Sequence, residues 1–457
     1  METKYWNKEI ETMPRKKLER LINKKLRHTI RYAYEFSPFY HRLFDDLNLK
    51  PEDIKDQNEL LKKLPIITRT HIIENQPPKT EDFLFFSAPI GLGYTRPYSS
   101  GSRGEPKICR RTFDDWDVSR EACARAYVMA GIDEKDVVLN ILPFGVNVSG
   151  LASLFGFYRT VGAEVITAGT ATYPSKVDLI KVHKPTVLFG MPSYIDRLSR
   201  ELELAGISPQ NVGIKKILAV GEPCVEEKKK KFEETFNAEV YRIYASDEGD
   251  VMASECKAHN GLHVREDYCL LHAIDIEDKE ILSEGEEGAD LLTTLVDNGK
   301  YHGMVLLNFH HGDKFKILSY EKCECGRTHK RISHPTREGD EVSIGPAKLP
   351  FSDIEAVINR PEYRKYLTGE YEIIKKFDEV ERIYHVTIRM DVKGKVDDIP
   401  STLKDKIKTE IYKINYPIYV VTQPGQIGTL EIQLTNEGEL EVYKKTGKPS
   451  SRRLIVL

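Results

Sequence analysis

The 457-residue chain has no excess of charge of either sign: 68 lysines and arginines stand against 71 aspartates and glutamates, a formal net charge of −3. That balance gives no basic footprint for nucleic acid and no acidic tail, so the expected partner is a small molecule. The chain lacks any apolar run of the ~20 residues that a membrane-crossing helix needs. Its first residues carry Glu2, Lys4, Lys8 and Glu9 instead of the apolar stretch of an export signal, so the expectation is a cytoplasmic protein with no membrane partner. Seven cysteines, an odd number in a long chain, argue for thiols or metal ligands and against a disulfide framework. Internal repeats, low-complexity tracts, a dinucleotide-binding glycine fingerprint and a Walker Gly-Lys-Ser/Thr are all missing.

What is present is regular alternation. Leu18, Leu21, Ile22, Leu26, Ile30 and Tyr34 recur at helical spacing before Ser37-Pro38, predicting helices over 8–46 as part of an N-terminal cap at 1–75. Apolar runs at 137–142, 163–167, 186–190, 217–220 and 240–244 have the length of buried strands, with amphipathic helices at 151–161, 174–183, 193–205 and 226–236 between them. Such alternation predicts a parallel, doubly wound sheet, with ligands bound beyond the carboxyl ends of its strands. After about residue 340 the texture changes. A helix at 351–359, an alternating strand through Val386, Ile388, Met390 and Val392, a helix at 400–414 and strands at 418–422 and 430–434 predict a small α+β unit. The fold class is thus α/β, a large N-terminal domain at 1–338 and a smaller α+β domain at 339–457, the boundary falling where charges and glycines interrupt the periodicity near 337–345. Such a length suits two domains with a cleft.

The sharpest local feature is Ser99-Ser100-Gly101-Ser102-Arg103-Gly104-Glu105-Pro106, where two glycines free the backbone and hydroxyls and amides can face phosphate oxygens. Alone, it reads first as an ordinary Ser/Gly turn. Further along come Gly221-Glu222-Pro223, Tyr244-Ala245-Ser246-Asp247-Glu248, Gly312-Asp313, Arg337 and Thr446-Gly447-Lys448. Taken singly these are bland: Lys448 lies in a basic run that reads as a solvated tail, Glu248 has acidic neighbours, and Asp313 could cap a turn.

In this order, however, the set resembles the acyl-adenylate-forming superfamily, specifically its phenylacetate-coenzyme A ligase-like branch, over nearly the whole chain. The resemblance implies a large adenylating domain, a small mobile C-terminal domain, and ATP-dependent conversion of a carboxylic acid to acyl-AMP and then to a coenzyme A thioester. It implies that Ser99, Ser100, Gly101, Ser102, Arg103 and Gly104 cradle the phosphates, that Glu222 and Pro223 lie along adenine, and that Tyr244 stacks on it. Asp313 would hold the ribose, Arg337 would begin the hinge, Glu248 would hold Mg²⁺, and Lys448 would bring positive charge to the reacting phosphoryl group. Two other acceptors or roles remain open on sequence: adenylylation of a deazaflavin hydroxyl, and a non-catalytic nucleotide-binding protein. The assembly is open to a homodimer.

Cys256, His259, His263, Cys323 and Cys325 form a second constellation, soft ligands suited to tetrahedral Zn²⁺. Spacing leaves either histidine open, and similarity to segments of zinc-bearing aryl-coenzyme A ligases favours Cys256, His263, Cys323 and Cys325. Four protein ligands would make any zinc structural. Finally, Pro143-Phe144-Gly145-Val146-Asn147 resembles the segment lining the acid pocket, with Phe144 and Asn147 as its candidates. A buried amide needs a partner, so Asn147 points to an acid with a polar substituent and away from phenylacetate itself.

Overall fold

The structure is a computed structural model that describes residues 5–89, 91–97, 106–144, 148–337, 341–344, 347–378, 383–424, 426–440 and 454–456. The chain divides into two compact units, Met1–Pro223 with Phe236–Arg337, and Cys224–Thr235 with Glu338–Leu457.

In the first unit five strands pair in parallel, in the order Glu164–Thr167, Val137–Asn140, Val187–Gly190, Lys216–Val220, Glu239–Ser246. Their apolar side chains, among them Val138, Val187, Phe189 and Leu218, are buried with Tyr127 and Phe157 from the covering helical segments. The first strand ends at Asn140, two residues before the apolar run does, because the Asn140 side chain accepts the Leu142 N–H at 3.0 Å and turns the chain. The helix expected from Leu151 begins at Val148 and ends in a wide turn over Gly156–Val161. Beyond Ser246 the sheet continues antiparallel through Asp250–Glu255 and Leu262–Val264, then through Arg331–Ile332, Asp313–Ser319 and Glu287–Thr294.

The N-terminal helices Arg15–Phe36 and Pro38–Asp46 bury Leu18, Ile22, Leu26 and Ile30 in one core with Leu271, Phe309, Phe315 and Ile317. Among the described residues no helix is long and apolar enough to cross a membrane.

The second unit carries a four-stranded sheet in the order Gly428–Thr435, Ile383–Val392, Leu367–Asp378, Leu454–Val456. Helices Phe351–Ile358 and Leu403–Ile414 share its core, where Ile373, Val386, Ile388, Met390, Ile407 and Ile432 are buried. The strand expected at 418–422 is a helix, Tyr416–Val421. Its β-branched run looks extended, but Pro417 sits in the first turn and the Asn415 side chain accepts the Ile418 N–H at 3.2 Å, two start signals that outweigh β-propensity.

Candidate active site

Three side chains from three strands meet at Asp313. Tyr244, near the end of the last parallel strand, donates its hydroxyl to Asp313 Oδ2 at 2.8 Å, and Arg337 donates from Nη1 to Asp313 Oδ1 at 2.8 Å. The backbone register that sets Asp313 opposite Arg337 makes the second contact. Tyr244 is buried, and burial with the adjacent Asp313 carboxylate pushes its phenol well above the usual range.

Asp313 is held from behind by Asp290. This fully buried carboxylate accepts the N–H groups of Asp313 at 3.0 Å and His311 at 3.1 Å, and the His311 Nδ1 proton at 2.5 Å; His310 Nδ1 lies 2.9 Å from its Oδ1. Burial opposes the charge of Asp290, but His311 and His310 outweigh it and hold the carboxyl below the usual range. On its far side, His311 Nε2 lies 2.9 Å from Ser246 Oγ, which accepts the Gly249 N–H at 2.9 Å.

Between Ser246 and Gly249 runs the turn bearing Asp247 and Glu248. Glu248 is buried and meets the Lys107 ammonium, which also lies 5.7 Å from the Phe309 ring. Burial pulls Lys107 down to about 8. Arg111 fixes the far end of the turn, donating to Asp250 at 2.8 Å and to the Asp247 carbonyl at 2.6 Å. Glu222 accepts the Ser193 N–H at 2.9 Å and its hydroxyl at 2.8 Å, a carboxylate on the first turn of helix Pro192–Leu204. The Phe144 ring is placed by two glycines: a Cβ on Gly150 would lie 3.1 Å from it and one on Gly169 would lie 3.1 Å from it.

Cys256, His263, Cys323 and Cys325 converge, each offering one ligand atom, all within 4.8 Å of one another. Cys256 and Cys323 Sγ atoms are 3.9 Å apart, and Cys325 Sγ lies 3.5 Å from His263 Nε2. The other His263 nitrogen, Nδ1, faces the His329 carbonyl at 3.3 Å, the arrangement that leaves Nε2 free to ligate. The Cys323 to Cys325 turn is closed by the Gly326 N–H on the Cys323 carbonyl, with Gly326 at φ +94°. Cys256 and His263 drive the Cys325 thiol towards thiolate. Three sulfurs and one imidazole at this spacing fit a closed tetrahedral Zn²⁺ site. His259 stands apart, its ring 4.9 Å from that of Tyr241 and 3.9 Å from Glu255.

The sequence profile of the AMP-binding enzyme family matches residues 93–288. A phenylacetate-coenzyme A ligase of Thermus thermophilus is 30% identical over 355 residues, 77% of each chain. The chain belongs to the acyl-adenylate-forming enzymes, in their phenylacetate-coenzyme A ligase-like branch. A phenylacetate-coenzyme A ligase of Escherichia coli is 29% identical over 73% of this chain and 74% of its own. The fold matches that of a 2-hydroxyisobutyryl-CoA ligase crystallised in the postadenylation state, with a TM-score of 0.84, 20% identity, and coverage of 99% of this chain and 92% of that one.

As an acyl-adenylate-forming enzyme the chain has a site only partly drawn by its motifs. Ser99, Ser100, Gly101, Ser102, Arg103, Gly104, Asn147 and Lys448 lie outside the described residues. Tyr244, Asp313 and Arg337 come together; Glu248, Glu222 and Phe144 each have their own partners. Sequence reasoning missed Asp290, His311, Ser246 and Lys107 as parts of the site. The signals were the histidine pair directly before Gly312-Asp313 and the lysine directly after Pro106.

Proposed function

We propose that this enzyme uses ATP to convert an aromatic or related carboxylic acid to its acyl-AMP and then transfers the acyl group to coenzyme A, releasing AMP and pyrophosphate. In the first step a carboxylate oxygen bonds to the α-phosphorus and the bond to the pyrophosphate oxygen breaks. In the second, the coenzyme A sulfur bonds to the acyl carbon and AMP leaves with the carbon–oxygen electron pair. Both partners of the first step are anions, so the protein's task is to align and neutralise.

The observation that carries the reading is the Asp313 carboxylate, gripped by Tyr244 and Arg337 and backed by Asp290, a rigid acceptor suited to ribose hydroxyls. Tyr244, whose hydroxyl is committed to Asp313, would stack on adenine, with Glu222 and Pro223 lying along it. Ser99 to Gly104 would hold the phosphates, Arg337 would begin the hinge between domains 1–338 and 339–457, and Lys448 would meet the charge developing in the reaction. Glu248, a buried carboxylate already kept beside a cation, fits the residue that holds Mg²⁺, which when bound supplies positive charge to the phosphates. Phe144 and Asn147 would line the acid pocket, and the amide favours an acid with a polar substituent. The four-residue cluster would hold one structural Zn²⁺. A cytoplasmic location and a homodimeric assembly complete the proposal.

The test is ATP/pyrophosphate exchange with a panel of aryl and aliphatic acids and a deazaflavin, followed by thioester assay with coenzyme A. Exchange driven by one acid and thioester formation support the reading. Exchange driven only by the deazaflavin overturns it.

A further inference from the structure

Ser246, His311 and Asp290 form a hydrogen-bonded line, with Ser246 Oγ 2.9 Å from His311 Nε2 and His311 Nδ1 2.5 Å from Asp290 Oδ2. The ionised carboxylate can only accept, so the Nδ1 proton belongs to His311, and the ring is held with Nε2 turned to Ser246. The Ser246 hydroxyl shares a hydrogen bond with Nε2 on one side and accepts the Gly249 N–H at 2.9 Å on the other. That last bond closes the turn carrying Glu248. The same Asp290 accepts the N–H of Asp313 through Oδ1.

One buried anion therefore reaches both functional carboxylates, one through a backbone N–H and the other through an imidazole and a hydroxyl. We propose that Asp290 is a positioning residue for nucleotide binding: it locks the His311 tautomer and, through Ser246, fixes the Glu248 turn relative to Asp313. The proposal rests on the ATP-dependent function above and assigns the nucleotide step, not acid recognition, as what the line controls. The order serine, histidine, aspartate is also that of a nucleophilic relay. Here the serine oxygen is engaged by Gly249 and closes a turn, which marks it as a structural acceptor.

Replacing Asp290 by asparagine removes the charge and leaves one acceptor oxygen for donors that Oδ1 and Oδ2 now share, the N–H groups of His311 and Asp313 and the His311 Nδ1 proton, so the charge-assisted bond to the ring is lost. Asp290→Asn and Ser246→Ala each raise the KM for ATP about tenfold, the equivalent of one charge-assisted or strategically placed hydrogen bond, and leave the KM for the acid within about threefold. Ser246→Thr, which keeps the hydroxyl, restores the wild-type KM for ATP.

A reading independent of turnover comes from proton NMR. The short Nδ1–H to carboxylate bond gives a resonance far downfield of the amides in the wild type and in Ser246→Ala, absent in His311→Gln and Asp290→Asn. Should Asp290→Asn not fold, His311→Gln and the two Ser246 variants carry the test. An unchanged KM for ATP in Ser246→Ala, or a resonance that survives in His311→Gln, overturns the proposal. So does labelling of Ser246 by a fluorophosphonate, which would make it a nucleophile. If no acid supports exchange in the wild type while the resonance pattern holds, the functional reading has failed and the hydrogen-bonded line has not.

Discussion

Tyr244 Oη lies 2.8 Å from Asp313 Oδ2, a bond between the last parallel strand and an antiparallel strand 69 residues further along the chain. Removing it as Tyr244→Phe leaves one oxygen of a buried carboxylate without its donor while Arg337 keeps the other. The expected loss is about 1–2 kcal/mol of nucleotide binding, a KM for ATP raised about five- to thirtyfold. Steady-state kinetics at saturating acid checks this; an unaltered KM would separate Asp313 from the nucleotide.

The cysteine–histidine cluster is expected to hold one zinc per chain. Metal analysis of protein purified without chelator reads the stoichiometry, and Cys325→Ser should abolish it. Chelation should lower the melting temperature by at least about 5 °C, since a zinc held there would tie strand Leu262–Val264 to the Cys323–Cys325 turn. Metal-free protein with unchanged melting would dismiss the site.

Gly169→Ala should be damaging, because its Cβ would run into the Leu142 carbonyl and lie 3.1 Å from the Phe144 ring. Overpacking of this kind costs about 1–3 kcal/mol. If Phe144 lines the acid pocket, the KM for the acid rises more than that for ATP. An equal effect on both would remove Phe144 from the pocket.

Acid should unfold the protein through two histidines. Both ring nitrogens of His272 are buried without hydrogen-bond partners, and burial holds the ring well below its ordinary value; burial also holds His334 down to about 3. In the folded state these rings stay neutral while the unfolded chain takes up protons below about pH 6.5. The unfolded state therefore binds more protons, and stability falls as pH drops from about 6.5 towards 3, each ring costing about 1.4 kcal/mol per pH unit. Denaturant titrations at pH 7 and pH 5 should show the loss, and His272→Leu should reduce it. A variant with the same pH slope as the wild type would clear His272.

The inner parallel strands were legible because they are buried on both faces and so read as continuous apolar runs, whereas the edge strand Glu164–Thr167 is partly exposed. The helix Tyr416–Val421 was misread because its apolar, β-branched residues carry the same signal, and the capping role of Asn415 shows only when the chain is folded. Residue type gathered Cys256, His259, His263, Cys323 and Cys325, since few residues make soft donors, but spacing left either histidine open and only resemblance to zinc-bearing ligases favoured His263. Asp290 could not: an aspartate in an apolar strand looks like an error of pattern until His310, at the end of strand Phe309–His310, and His311 just after it are brought against it. Burial of a charge is a property of the partner, and partners far apart in sequence leave no local mark.

Cys256 and Cys323 meet across a separation of 67 residues, and that span contains Asp290, His311 and Asp313. On the ribosome, the strands that carry these residues are synthesised before the turn at Cys323–Cys325 that meets Cys256. If the cluster holds zinc as proposed, closure would wait for residue 325 and for the metal, so that zinc scarcity would be felt first by newly made chains and least by those already assembled.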